Sequence, residues 1–207
     1  ERGWRPDTVV GVSIGAVNAW MLSRGATPDE MAIAWRDWPA ELLPGRERRF
    51  DLPWRAHAPL FRAWIERVAE EFGSRPTAVD GRIAVLEALT GRPRLVSAAE
   101  ADGRLLMAAC ALPGVIAPVR VDGTLYVDFG LVRYLPLREA IETGADDIVA
   151  VDLLAAHPFP LARPFQRAFR QVWRLLRGEH PSPRTAIGPR VTVVGHPKPL
   201  GTVWESF

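Results

Sequence analysis

Ser13 lies in Gly11-Val-Ser-Ile-Gly15, between a β-branched run (Thr8, Val9, Val10) and a stretch of helix formers. A serine on a sharp strand-to-helix turn has its hydroxyl lifted clear of the backbone. Small residues must flank such a strained elbow, and Gly11 and Gly15 are placed to do so. The following N–H, that of Ile14, points with the helix start, where negative charge is favoured. The five residues therefore predict a nucleophile beside one oxyanion donor. The plain alternative is a structural strand–turn–helix with an incidental serine, since the bare pattern recurs by chance.

A hydroxyl is a poor nucleophile and needs a base within hydrogen-bond reach. Two alternating runs flank Asp122-Gly123, which predicts a hairpin. Turn chemistry accounts for Asp122. It does not account for Asp128, which closes the second run just before Phe129-Gly130, where a loop carboxylate could face a cleft.

Three segments together resemble the patatin-like phospholipase family. They are the elbow with Gly15-Ala-Val-Asn-Ala19, the Ala-Cys-Ala-Leu-Pro-Gly-Val stretch around Cys110, and Asp-Gly-x-Leu-Tyr-Val-Asp-x-Gly-Leu-Val from Asp122. They fall in the same order and span most of the 207 residues. The resemblance implies a Ser–Asp dyad without histidine, acting on acyl esters of lipids. Ser13 would be the nucleophile and Asp128 the base, with the acyl group passing through a Ser13 ester before release to water. The two side chains are then expected to meet within about 4 Å, with no histidine closer to Ser13 than Asp128.

Three departures from the family pattern stand out. Phe129 follows the aspartate where the family usually has glycine; if that position needs positive φ, a phenylalanine there costs about 1–2 kcal/mol. The glycine-rich oxyanion loop expected upstream of the elbow is not contained in Glu1-Arg-Gly-Trp-Arg5. The stretch between Val96 and Ala108 is shorter than usual. The expectation is one patatin-like domain over 1–207, cut at both ends and short of an oxyanion donor.

Composition fits an α/β domain with a real core: 48% hydrophobic residues, 24% charged and a formal net charge of +2. That balance does not call for a nucleic-acid partner. Lys198 is the one lysine among 26 basic residues, which reads as codon bias more than a selected surface. A single cysteine excludes an internal disulfide, and no zinc spacing or cofactor motif is present. Cys110 reads as a small buried hydrophobe in a short helix.

The elements that must position Ser13 and Asp128 follow from local signals. Thr27-Pro-Asp-Glu30 is a capping box opening a helix. Residues 35–64 hold four tryptophans among four prolines and read as an irregular cap. Its aromatics could line an acyl pocket, meet a lipid interface, or simply pack the cap onto the core. Residues 82–89 read helical, Leu95-Val96 as a short strand, and residues 137–142 as a helix ended by Gly144. The runs 148–151 and 191–194 look like strands covered on both faces. Strands alternating with helices predict a three-layer α/β/α fold with a mainly parallel central sheet.

Residues 163–177 place Arg163, Arg167, Arg170, Arg174 and Arg177 along one helical face, opposite an apolar one. This is either a domain helix packing its apolar side inward or an interfacial helix drawn to anionic lipid. The second reading puts the chain in the cytoplasm or peripherally on a membrane, with targeting unread because no start is present. Two rivals to the dyad enzyme stay open. One is an α/β-hydrolase triad using His157, His180 or His196, all downstream of Asp128 as that chain order requires. The other is a catalytically impaired lipid-binding or regulatory relative.

Overall fold

The computed structural model describes residues 5–37, 53–113, 116–152 and 189–195, with side chains of α3 from residue 59 onward. Its contacts divide into two compact units, Glu1–Gly130 and Leu131–Ser206.

The first unit contains β1 (Thr8–Val12), α1 (Ile14–Ser23), α2 (Pro28–Arg36), α3 (Pro53–Gly73), β2 (Asp80–Glu87) and β3 (Pro93–Ser97). After these come α4 (Gly103–Ala109), β4 (Val119–Val121) and β5 (Thr124–Asp128), which runs into a 3₁₀ turn at Phe129–Leu131. The sheet is built on β2. Val12 of β1 lies opposite Ala84 in parallel register, while Asp128 of β5 lies opposite Val85 in antiparallel register. β3 pairs with residues 82–86 of β2 along the other edge. β1 and β5 therefore share one edge of β2 and meet there C-terminus to C-terminus. This α/β sheet is mixed, with helices packed on it.

The first unit's core lies where α1, α3 and α4 cover the sheet. Trp20, Met21, Trp64, Ile65, Phe72, Ile83, Val85 and Leu106 are all buried, and burying each such side chain contributes about 1.5–3 kcal/mol. Each described indole N–H also finds an acceptor: Trp20 Nε1 donates to the Ala101 carbonyl, Trp64 Nε1 to the Ala34 carbonyl and Trp35 Nε1 to Asn18 Oδ1. These bonds fix α1, α2 and α3 to their neighbours. The capping box is formed, with Thr27 and Glu30 each accepting the other's backbone N–H. The adjacent Arg75 helps to hold the Glu30 carboxyl down at about 2.

Two local expectations are corrected. Residues 82–89 are strand β2 and its following turn, not a helix. Their Ala, Leu and Glu favour helix weakly, but Ile83, Ala84, Val85 and Leu86 form a short continuous apolar run, which periodicity cannot assign. Pairing on both edges and burial decided the strand. The supposedly irregular cap is helical from Pro53 onward, with Pro59 inside α3. Pro59 is the seventh residue of α3, past the first turn, so it removes one i→i−4 hydrogen bond that the rest of the long helix outweighs. Trp64 packs inward, its ring 4.7 Å from that of Trp35. Trp38 and Trp54 lie outside the described side chains.

The second unit holds α5 (Leu137–Glu142) and the parallel pair β6 (Asp147–Asp152) and β7 (Arg190–Gly195). Arg133 donates to the buried Glu139 carboxylate within this unit. The expectation of strands covered on both faces fails here. β6 buries Ile148, Ala150 and Asp152 while Val149 and Val151 are exposed, and every residue of β7 is exposed. The arginine-striped segment 164–177 lies outside the described residues.

Candidate active site

Ser13 occupies the N-cap of α1 with φ 54° and ψ −131°. This backbone is one that L-residues rarely adopt, and it costs about 1–3 kcal/mol. A serine at an N-cap ordinarily turns its oxygen back to accept an N–H of the first helical turn. Ser13 makes no such side-chain cap. It is instead close enough to Asp128 to lower the pKa of that carboxyl.

Gly11 is what lets the chain turn this tightly. A Cβ there would lie 2.2 Å from the Gly15 carbonyl oxygen and 2.6 Å from the Ala16 Cα, both backbone atoms that cannot yield. The same crowding was expected at Gly15 but is absent. A Cβ at Gly15 would meet nothing within 4 Å, so this glycine borders open space beside the helix start. The Ile14 N–H belongs to the first turn of α1, where an α-helix leaves its donors without intrahelical acceptors.

Sheet register brings the end of β5, with Asp128, beside the turn that carries Ser13. Val12 and Asp128 lie opposite consecutive residues of β2, Ala84 and Val85. The turn after β1 and the end of β5 therefore open at the same point on one edge. The Asp128 backbone N–H donates to the Ala111 carbonyl at 3.0 Å. Its Oδ1 accepts the Gly130 N–H at 2.7 Å. A Cβ at Gly130 would come 3.0 Å from that oxygen, so the small residue leaves the carboxylate its place. The side chain is buried. Burial raises its pKa above the ordinary carboxylate value, and the hydrogen bonds from Ser13 and Gly130 partly oppose the rise.

Phe129 does not carry the strain that its position suggested. Ser13 and Asp122 are the non-glycine residues with positive φ among those described, and Phe129 begins the 3₁₀ turn with its ring buried. Asp122 and Gly123, at φ 46° and 80°, form the two-residue hairpin turn expected between β4 and β5.

Cys110 caps the C-terminus of α4 and is buried. Burial, together with the Asp128 charge, pushes its thiol well above the usual range. Its nearness to Asp128 and the Ala111 carbonyl's hold on the Asp128 amide were not legible in the sequence. The first depends on where α4 ends, and the second involves only backbone atoms. His157, His180 and His196 lie outside the described residues. Among the described residues, no group of three or more His, Cys, Asp or Glu could hold a metal.

The family model for patatin-like phospholipases matches residues 1–141, which include β1, the elbow, Asp128 and most of α5. The chain belongs to the patatin-like phospholipase family. Membership points to lipid acyl hydrolase activity, with lipids as substrates. The matched residues include the elbow and the β5 terminus as they stand in this patatin-like chain. Among its described residues, no helix is long and apolar enough to cross a membrane.

Proposed function

We propose that this patatin-like protein is a serine acyl hydrolase whose nucleophile is Ser13 and whose base is Asp128. The observation that carries this reading is a serine at a strained N-cap that makes no side-chain cap to its own helix and lowers the pKa of a buried carboxylate. Attack by Ser13 Oγ on an ester carbonyl passes the hydroxyl proton to Asp128. The tetrahedral oxyanion lies against the Ile14 N–H at the positive end of α1. Collapse of this intermediate expels the alcohol, which takes the proton from Asp128, and leaves an acyl ester on Ser13. Asp128 then deprotonates a water that attacks the ester, and a second collapse releases the fatty acid and restores the serine.

The test is covalent labelling with a fluorophosphonate. The expected outcome is a single adduct on Ser13, absent from Ser13→Ala, with His157→Gln, His180→Gln and His196→Gln all still labelled and active. Loss of labelling in one histidine variant comparable to that in Asp128→Asn would move the base from Asp128 to that histidine. On the same reading, segment 163–177 touches anionic lipid, and the enzyme works in the cytoplasm or at a membrane surface. Sedimentation with phosphatidylglycerol vesicles, weakened when Arg167, Arg170 and Arg174 are replaced by glutamine, is the matching expectation.

A further inference from the structure

Ser13 is held at positive φ, and a strained residue persists only where its surroundings over-determine it. Its side chain makes no cap to the helix that follows. The grip on this turn must therefore come from α1 and from whatever α1 is fastened to. The C-terminal half of α1 is tied over long range. Trp20 Nε1 donates to the Ala101 carbonyl at 3.2 Å. The Arg24 guanidinium donates to the Arg75, Ala98 and Ala99 carbonyls at 3.0, 3.2 and 3.2 Å. These ties lie about two to three helical turns beyond Ser13.

Nearer the serine, Asn18 carries a tie. Its Oδ1 accepts the Trp35 indole N–H at 2.7 Å, across from α1 to α2. An indole nitrogen only donates, so the bond fixes which end of the amide faces Trp35. Residues four apart lie on the same face of a helix, which sets Asn18 one turn behind Ile14. Ile14 and Trp35 both pack against the buried core. The indole thus fastens α1 one turn behind the residue that the acyl hydrolase reading makes an oxyanion donor.

Trp35 is itself held. Its ring centroid lies 4.7 Å from that of Trp64, and Trp64 Nε1 donates to the Ala34 carbonyl at 3.0 Å. Trp64 is buried. A continuous path of packed rings and hydrogen bonds runs from α3 through α2 to the first turns of α1. Asn18 and Trp35 are both half-buried, which strengthens their bond relative to one in open water.

We propose that Asn18 and Trp35 are positioning residues, whose hydrogen bond fixes the first turns of α1 and with them the Ser13 turn and the Ile14 N–H. They act through the helix, not on the ester. The proposal rests on the acyl hydrolase reading above. Trp35→Phe keeps a ring against Trp64 and loses the N–H, while Asn18→Leu keeps a similar volume and loses the acceptor. With the full chain and p-nitrophenyl butyrate, each should lower kcat about tenfold and leave KM nearly unchanged, since small misplacements of reacting groups are costly. The double variant should be no slower than either single one, because the same bond is lost once. Thr27→Ala loosens α2 at its cap, leaves the indole bond in place, and should keep kcat. Unchanged kcat in both single variants, additive losses in the double variant, or an equal loss in Thr27→Ala overturns the proposal. Amide hydrogen exchange gives a readout that needs no substrate. Peptides over 13–19 should exchange about tenfold faster in Trp35→Phe than in the parent, with β2 unaltered. Equal exchange overturns the proposal. A parent that hydrolyses no ester defeats the acyl hydrolase reading, and exchange then decides by itself whether this bond holds the Ser13 turn.

Discussion

Ser13 and Asp128 each sit where the isolated residue would not choose to be. The serine is held at positive φ, and the carboxylate is buried with its pKa raised. A raised folded pKa means that stability from this group is fully present below the unfolded value and is lost as pH rises through the folded one. Asp128→Asn is therefore expected to raise Tm at pH 7, with the gain shrinking as the buffer is acidified below the ordinary aspartate range. The same substitution removes proton acceptance and should lower the rate about 10²–10⁴-fold. Since the base works ionised, kcat/KM of the parent should climb with pH on an acid limb above the usual carboxylate range. A limb at the ordinary value would separate Asp128 from the rate. Gly11→Ala has no comparable compensation. Its methyl would meet immovable backbone, and a loss of about 3 kcal/mol or more in a denaturant titration is expected.

β2 acts as the ruler among the elements. It carries no candidate catalytic group, yet Ala84 and Val85 set where the ends of β1 and β5 come to rest. α3 holds α2 in place. Trp64 is buried, packs at a tilt against Trp35 and donates to the Ala34 carbonyl. Trp64→Ala should cost about 3–5 kcal/mol by loss of packing. Thr27→Ala, which removes one exposed cap, should cost about 1 kcal/mol. Urea unfolding of the two variants checks the order, and equal losses would mean that α2 and α3 are not held by the indole contacts.

At the scale of the whole molecule, Ser13 and Asp128 both lie in the first unit, and the family match covers residues 1–130 of it. Protection should be distributed accordingly. β2 is paired on both edges and buried through Ile83–Leu86, whereas β6 and β7 form a two-stranded sheet with exposed valines. Amide hydrogen exchange followed by mass spectrometry should find the slowest peptides over 81–87 and faster exchange over 147–152 and 190–195. Equal protection of both sheets would contradict this order.

Local chemistry was legible from the residues themselves. The elbow at Ser13, the hairpin at Asp122-Gly123, the capping box at Thr27 and the helix stop at Gly144 each depend on neighbours a few positions away, so residue type and spacing suffice to read them. The carboxylate at Asp128 was visible because no turn explained it. Other features depended on contacts distant in sequence. Residues 82–89 carry helix-forming side chains, and only pairing with β1, β3 and β5 made 80–87 a strand. The freedom at Gly15, the unstrained Phe129 and the thiol beside Asp128 likewise required the packed chain. The placing of the Ser13 turn beside the end of β5 belongs to the same class. Family resemblance suggested it, but the cause is a register of β1 and β5 on one edge of β2, and register is set by burial of whole strands rather than by any local motif.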